Sequence, residues 1–179
     1  KDIELKWLGH AGFQIKNKDG IPYDCIDVMN YFNRDLKKGK YPYVPRKNNL
    51  ITRNEIKNKW IPNKNRNITY VAEDLKLNKI IASATISLIQ NKKEGILQIT
   101  KDSNYKIKGI GTELTKKMIK IASSKGITII IRTSVKNKSA IKVIKKLGYG
   151  EGELIKNFEP YRNKIKGSNY DVFEWIIKS

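Results

Sequence analysis

The fold of this chain is decided by the stretch Ile96–Ala122, which has the sequence ILQITKDSNYKIKGIGTELTKKMIKIA. An apolar run at Gly95–Thr100 is typical of a strand. Apolar residues then recur at steps of four, four and three, which predicts a helix; they are Ile110, Leu114, Met118 and Ile121. A polar segment ending in Gly109-Ile110-Gly111 separates the two patterns. The stretch therefore predicts a strand, a glycine turn and a helix in direct succession.

The glycine turn before this helix favours phosphate binding. The first N–H groups of a helix have no intrahelical acceptor, and the helix dipole is positive there. Since glycines let a backbone approach an anion closely, we expect Lys106, Lys108 and the amides of Gly109–Thr112 to bind a pyrophosphate. Taken alone, a Gly-x-Gly motif is as typical of a tight turn before a helix as it is of a phosphate-binding site. A dinucleotide fingerprint would need glycine at Leu114, and no P-loop motif is present.

The rest of the chain predicts a mixed α/β fold. An N-terminal strand or hairpin is predicted from Ile3–Leu8 and Gly12–Ile15, and further strands at Ile68–Glu73, Lys79–Leu88, Ile127–Val135, Glu151–Phe158 and Tyr170–Ile177. Helices are predicted after Asp24, after Thr52 and from Ala140 to Leu147, each next to a capping or glycine signal. The order is β-α-α-β-β-β-α-β-α-β-β. We expect one domain over 1–179, with a variable part at 1–66 and a core at 67–179.

The strand Lys79–Leu88 shows the clearest alternation in the chain. A period of two places five apolar residues on one face, namely Ile80, Ala82, Ala84, Ile86 and Leu88. This pattern predicts that all five pack against the same layer.

Composition limits the classes of function. The chain has 179 residues, of which 39% are hydrophobic, so it is too apolar for a disordered protein. Cys25 is the single cysteine and His10 the single histidine, so neither a disulfide nor a metal site is expected. No apolar run approaches the ~18 residues of a membrane span, and no signal peptide is visible, so a cytoplasmic location is expected.

The net charge of +20 leaves two interpretations open. A basic surface attracts anions, including nucleic acids. The excess is lysine spread through every segment, which is equally typical of a compositional bias.

Two segments together carry a family resemblance. Lys106-Ile-Lys-Gly109-Ile-Gly111 is followed, after one helix and one strand, by Asn137-Lys-Ser-Ala140 and then Leu147-Gly148-Tyr149. The first resembles the pyrophosphate motif of the GNAT superfamily of acetyl-CoA-dependent N-acyltransferases, and the second resembles that family's next block. The resemblance extends over about Asn67–Ser179. It implies a GNAT-like α/β fold, with a twisted, mostly antiparallel sheet, one splayed strand pair and about four flanking helices.

The resemblance also implies a function, the transfer of an acetyl group from acetyl-CoA to a primary amine by direct attack. The thioester would lie in a gap between Gly95–Lys101 and Ile127–Val135. Main-chain groups of Ile99, Thr100 and Lys101 would pair with the pantetheine arm. The pyrophosphate would contact Lys106, Ile107, Lys108, Gly109, Ile110, Gly111 and Thr112. Asn137 would touch the cofactor or cap the following helix.

Two residues depart from the family pattern. Lys106 replaces an Arg or Gln, which keeps the charge and loses the planar guanidinium. Ile144 aligns with a tyrosine that protonates the leaving thiolate in the family, and it is expected to border the cofactor without doing proton work. Tyr161 and Tyr170 are substitutes by position, while Tyr149 is expected in the core.

The catalytic residues therefore stay open at this point. The weak candidates are Asn137, Tyr161 and Glu94. For a base, Glu73, Glu94 and Asp102 are candidates at strand ends or turns, and each is also typical of a solvated carboxylate.

The acceptor is expected to be an amine on a small molecule or protein, framed by Tyr41–Asn49 and Phe158–Tyr170. Two alternatives remain on the same fold: a non-catalytic acyl-CoA-binding module and a basic nucleic-acid-binding module. A homodimer is also an open alternative, and no membrane partner is expected.

Overall fold

The described part of the chain has a mixed α/β fold, with helices packed on one β-sheet. The computed structural model describes residues 3–7, 23–40, 50–60, 66–89, 93–158 and 170–179. The strands are β1 Ile3–Trp7, β2 Asn67–Asp74, β3 Lys79–Leu88, β4 Glu94–Lys101, β5 Thr128–Ser134, β6 Glu153–Phe158 and β7 Tyr170–Ile177. In these ranges they form one sheet of seven strands in the order β1-β2-β3-β4-β5-β7-β6. All neighbouring strands are antiparallel except β4 and β5, so the prediction of a mostly antiparallel sheet is confirmed. The order of helices and strands along the chain is also the predicted one.

Four helical segments flank the sheet in the described residues. They are α1 Tyr23–Lys37, α2 Arg53–Glu55 with a π-helical continuation at Ile56–Trp60, α3 Ile110–Ser124 and α4 Lys138–Lys146. As predicted, Thr52 caps α2, because its hydroxyl accepts from the Glu55 N–H at 3.1 Å. None of these helices is both long and apolar enough to cross a lipid bilayer. The predicted strand at Gly12–Ile15 and the predicted loop at Tyr41–Asn49 lie outside the described residues.

The helices bury apolar clusters on both faces of the sheet. Helices α3 and α4 share the larger cluster, in which Leu114, Met118 and Ile129 are at most 1% exposed. Helix α1 lies on the opposite face. There, Cys25, Phe32 and Leu36 pack with Ile51 and Ile56, as the helical spacing in α1 predicts.

A β-bulge changes the predicted face of Ile80. Ala72 pairs with Ala82, whereas Glu73 pairs with Ile80, so Ile81 is an extra residue in β3. Because the bulge shifts the alternation by one, Ile80 packs with Val28 of α1 instead of joining Ala82 on the α3 face. The prediction that all five apolar residues of this strand share one face was therefore wrong at Ile80.

Candidate active site

Strands β4 and β5 pair at one end and separate at the other. Their parallel ladder holds three pairs, Glu94 with Thr128, Gly95 with Ile129 and Ile96 with Ile130. Beyond Ile96, β4 continues along β3 as far as Lys101, and β5 continues along β7 as far as Ser134. Because each strand follows its outer neighbour, a gap opens between their carboxyl ends. The predicted splayed strand pair is confirmed.

The hydrogen-bond pattern of β4 decides which residues face this gap. Asp102 N donates to Ile81 O at 2.7 Å, and Ile89 N donates to Glu94 O at 2.9 Å. Neighbouring residues of an antiparallel ladder alternate between bonding to the partner strand and facing away from it. The main chain of Thr100 therefore turns toward β3, and the main-chain groups of Ile99 and Lys101 point into the gap.

The same reasoning on β5 identifies residues that the sequence did not reveal. Val135 N donates to Asp171 O at 3.1 Å, so the odd-numbered residues of β5 bond to β7. The main chains of Arg132 and Ser134 consequently turn toward β4. The parity of a strand becomes readable only once one hydrogen bond of its ladder is known, and sequence carries no such signal here.

The start of α3 lies beyond the open end of β4. Gly109 precedes the helix with φ of 93°, a left-handed conformation that favours glycine. Gly111 lies in the first helical turn, and a Cβ atom there would have no heavy atom within 4 Å apart from its chain neighbours and the backbone of its own helix. The N–H groups of Ile110, Gly111 and Thr112 have no acceptor within the helix. These donors thus open onto space that an anion of moderate size can enter.

Three lysines lie at the end of β4 and in the loop before this helix. Lys106 and Lys108 are exposed. Lys101 Nζ donates to Ile107 O at 2.7 Å, which ties the end of β4 to the loop before Gly109. Burial lowers the pKa of Lys101.

The side chain of Thr100 faces α1 and not the gap. Its Oγ1 lies 2.6 Å from the Tyr31 hydroxyl and 3.2 Å from Ser83 Oγ. The geometry therefore assigns Thr100 to the support of β4, since neither its main chain nor its side chain is directed to the predicted pantetheine position.

Asn137 caps α4 just beyond the end of β5. Its Oδ1 accepts from Ala140 N at 3.3 Å, and its own N–H donates to Ser134 O at 2.8 Å. Of the two roles predicted for Asn137, the structure shows the cap. Its position after β5 also places it at the open end of the gap.

Comparison with known protein families decides what this arrangement is. Residues 29–149 match the model of the acetyltransferase (GNAT) family. The chain belongs to this family. As a member of the GNAT family, it is an acyltransferase enzyme.

Solved structures share the fold of this GNAT acetyltransferase. An N-acetyltransferase from Staphylococcus aureus Mu50 is 16% identical, covers 99% of both chains and gives a TM-score of 0.73. A phosphinothricin acetyltransferase from Sinorhizobium meliloti, solved with acetyl-CoA, is 14% identical over 99% of this chain and 90% of its own, with a TM-score of 0.71. A ribosomal-protein-S5-alanine acetyltransferase from Vibrio fischeri is 19% identical over 98% and 93%, with a TM-score of 0.64. Among curated proteins, none matches the sequence significantly.

Two residues of the family's second motif are placed differently from expectation. Ile144, at the family's tyrosine position, is 4% exposed within the large apolar cluster. Enclosure by protein weighs against the predicted contact between Ile144 and the cofactor. Tyr149 is 38% exposed, so the prediction that it packs in the core was wrong.

The carboxylate candidates of this GNAT enzyme do not gather at the gap. Glu94 begins β4 at the paired end, where it lies opposite Thr128, roughly 23 Å from Lys101 at 3.3 Å per residue. Asp102 is fully buried beside Arg34, and not in solvent as sequence alone suggested. Glu73 is 9% exposed on the α1 face. The described residues therefore place none of these three carboxylates as an open base at the gap.

Tyr161 lies outside the described residues, and Tyr170 begins β7 with a pKa raised by burial. Within the described ranges, His, Cys, Asp and Glu form no group that would hold a metal ion.

Proposed function

We propose that this GNAT enzyme transfers the acetyl group of acetyl-CoA to a primary amine by direct attack. The observation that carries the proposal is the early end of the β4–β5 ladder next to the glycine-flanked start of α3. The gap beyond the β4–β5 ladder suits an extended chain that contains amides, and the start of α3 suits a pyrophosphate.

Acetyl-CoA fits both the gap and the start of α3. Its pantetheine arm contains amides, which can pair with the main-chain groups that Ile99 and Lys101 direct into the gap. Its pyrophosphate is matched by the N–H groups of Gly109–Thr112, where the absence of a side chain at Gly111 leaves space for close approach. The solved relative that contains acetyl-CoA has the same fold, which supports this assignment.

The reaction needs few groups from the protein. The unprotonated amine nitrogen forms a bond to the thioester carbon, the carbon–sulfur bond breaks, and coenzyme A leaves as a thiolate. The nitrogen loses one proton, which passes to the thiolate or to solvent, so the products are a neutral amide and coenzyme A. A main-chain N–H in the gap would stabilise the negative charge that develops on the carbonyl oxygen. Since a thiol has a pKa of about 8.5, the thiolate leaves without an obligatory protein acid. The main contribution of this chain is then the positioning of the two reactants.

An amine acceptor is supported by the N-acetyltransferase from S. aureus, whose name specifies acetylation at nitrogen. Acceptor contacts would come from the side of α1, because the acetyl-CoA contacts lie in the 67–179 part of the chain.

The test is a two-stage experiment on the whole chain. Thermal unfolding is first measured with and without acetyl-CoA, since a ligand at 100 times its Kd adds about 2.7 kcal/mol. Thiol release is then followed over a panel of primary amines that includes polyamines, aminoglycosides, lysine side chains and peptide N-termini.

Stabilisation by acetyl-CoA together with amine-dependent thiol release supports the proposal. Binding without turnover on any amine would replace it with a non-catalytic acyl-CoA-binding role. The absence of any thermal shift at millimolar acetyl-CoA would reject both.

A further inference from the structure

Two fully buried carboxylates, those of Asp35 on α1 and Asp102 after β4, meet beside the gap. Both side chains are 0% exposed. A buried carboxylate is costly unless cations and hydrogen-bond donors surround it. The hydrogen-bond donors and cations around each carboxylate therefore show which segments these two residues hold together.

Both carboxylate oxygens of Asp35 accept hydrogen bonds from Ser103, which lies in the loop after β4. Its Oδ2 accepts from Ser103 N at 2.8 Å, and its Oδ1 accepts from Ser103 Oγ at 2.6 Å. Arg34 adds Nη2 and Nε donors to Oδ1 at 3.1 and 3.2 Å. Helix α1 thus holds the backbone of Ser103 through a paired carboxylate.

Asp102 fixes the same turn from three directions. Its backbone N–H bonds to Ile81 O in β3, and its side chain accepts from Arg34 Nη1 and Nη2. It also accepts from Asn104 N at 2.9 Å, which closes the turn on itself. Although burial alone would lower it, the pKa of Arg34 is raised by the hydrogen bonds to Asp102 and Asp35, so Arg34 stays a cation.

This turn determines the path of the loop that precedes α3. Residues 102–108 connect the last residue of β4 to Gly109. The loop is held at its start by Asp35 and near its end by the bond from Lys101 Nζ to Ile107 O. If the start of a short loop moves, the donors at its end move with it.

We propose that Asp35 and Arg34 are positioning residues for acetyl-CoA: by holding the Asp102–Ser103 turn from α1, they set where the N–H groups of Gly109–Thr112 point. This inference rests on the proposed function. It assigns to α1, which lies on the face of the sheet opposite α3, control over the affinity of a site that it does not touch.

The test compares variants at the contact between Asp35 and Ser103 with a control variant elsewhere on α1. Asp35→Asn keeps a carbonyl oxygen for Ser103 N and loses the charge that pairs with Arg34, and Ser103→Ala removes only the hydroxyl contact. Asn33→Ala is the matched control. Asn33 makes two 2.8 Å bonds to the main chain of Ile51, so it anchors α1 away from β4.

For each variant, acetyl-CoA affinity is measured by calorimetry, KM and kcat by thiol release, and stability by thermal unfolding. We expect Asp35→Asn to raise the Kd and the KM for acetyl-CoA about tenfold with a smaller change in kcat, and Ser103→Ala to raise them about threefold. Asn33→Ala should lower the unfolding temperature and leave the Kd within about twofold of wild type.

The inference is overturned if Asp35→Asn and Ser103→Ala bind acetyl-CoA like wild type. It is also overturned if Asn33→Ala weakens binding as much, because the effect would then reflect general stability. Failure of wild type to bind would reject the proposed function instead. Amide hydrogen exchange in residues 103–112 then decides the structural part: faster exchange in Asp35→Asn but not in Asn33→Ala supports the positioning role, and equal exchange rejects it.

Discussion

The hydroxyl of Tyr31 on α1 lies 2.6 Å from Oγ1 of Thr100 on β4, and Tyr31 is fully buried. Burial raises the pKa of Tyr31 to about 12, so the hydroxyl stays protonated throughout the neutral range. Together with the contact between Asp27 and β3, this bond forms a polar stripe at steps of four along α1. The stripe explains why α1 is fixed to the splayed end of the sheet.

Tyr31→Phe should lower the free energy of unfolding by about 1 kcal/mol, because Thr100 loses one of its two hydroxyl partners in a buried site. Chemical denaturation at neutral pH measures the change. Thr85→Val is a suitable comparison, since it removes a 3.0 Å hydroxyl pair with Thr69 elsewhere in the same sheet. Equal stability of Tyr31→Phe and wild type would show that the hydroxyl pair contributes nothing.

Gly111→Ala should change stability and acetyl-CoA affinity in opposite directions. An alanine in the first turn of α3 meets no heavy atom apart from its chain neighbours and the backbone of its own helix, and can stabilise the helix by up to about 1 kcal/mol. The same methyl group occupies the space expected for the pyrophosphate, so the Kd should rise, and Gly111→Leu should raise it further. Ser123→Ala, about 18 Å along the same helix, should stabilise α3 without affecting binding. Unchanged affinity in Gly111→Leu would mean that this glycine serves the turn alone.

Lys101→Met should weaken acetyl-CoA binding about fivefold, because the side chain that holds Ile107 O at 2.7 Å loses its donor. Titration calorimetry gives the affinity directly. Lys101→Arg keeps a cationic donor and should recover part of the loss. If Lys101→Met binds as tightly as wild type, the loop is fixed without this bond.

Asp27→Asn should stabilise the protein at neutral pH relative to wild type, and the gain should disappear in acid. Burial raises the pKa of Asp27 above its ordinary value of 3.8, Glu73 adds to the rise, and Ile80 N–H and Lys79 oppose it. The folded state therefore holds this proton more tightly than the unfolded state, so the wild-type contribution declines as pH rises above 3.8. Asparagine removes that dependence while its carbonyl can still accept from Ile80 N. Unfolding measured from pH 3 to pH 7 should show the two proteins diverging; parallel curves would contradict the raised pKa.

Ile144→Tyr should lower the free energy of unfolding by about 1–3 kcal/mol and give no gain in rate, since the larger ring must enter a filled cluster. Ile144→Leu keeps the volume and should cost less than about 1.5 kcal/mol. Thermal unfolding and thiol release are measured on both variants. A stable and faster Ile144→Tyr enzyme would show instead that the position opens onto the reacting sulfur.

The elements of the fold were predictable because each has a local signal. The spacing of Ile110, Leu114 and Met118 marks α3, and all three are buried as expected. The glycines of the turn before α3 follow from backbone chemistry, which needs no partner elsewhere in the chain.

The parts that sequence missed depend on contacts between distant segments. The bulge at Ile81 changes the face of Ile80 through pairing with β2, and Ile80 N donates a hydrogen bond to Asp27 Oδ2 on α1. Asp102 was assigned to solvent because its arginine partner lies 68 positions earlier. Glu94 was a candidate base only because a strand sequence does not show which of its ends is splayed.

The β4–β5 ladder holds three residue pairs, whereas antiparallel ladders continue on both sides of it. The sheet is thus two antiparallel halves joined by a short parallel ladder, and α3 packs against strands of both halves. A molecule bound in the gap beyond this ladder would take the position of a strand there and add hydrogen bonds to both halves at once. Acetyl-CoA should therefore sharpen the heat-absorption peak of unfolding as well as raise its temperature, because the two halves would then melt as one unit.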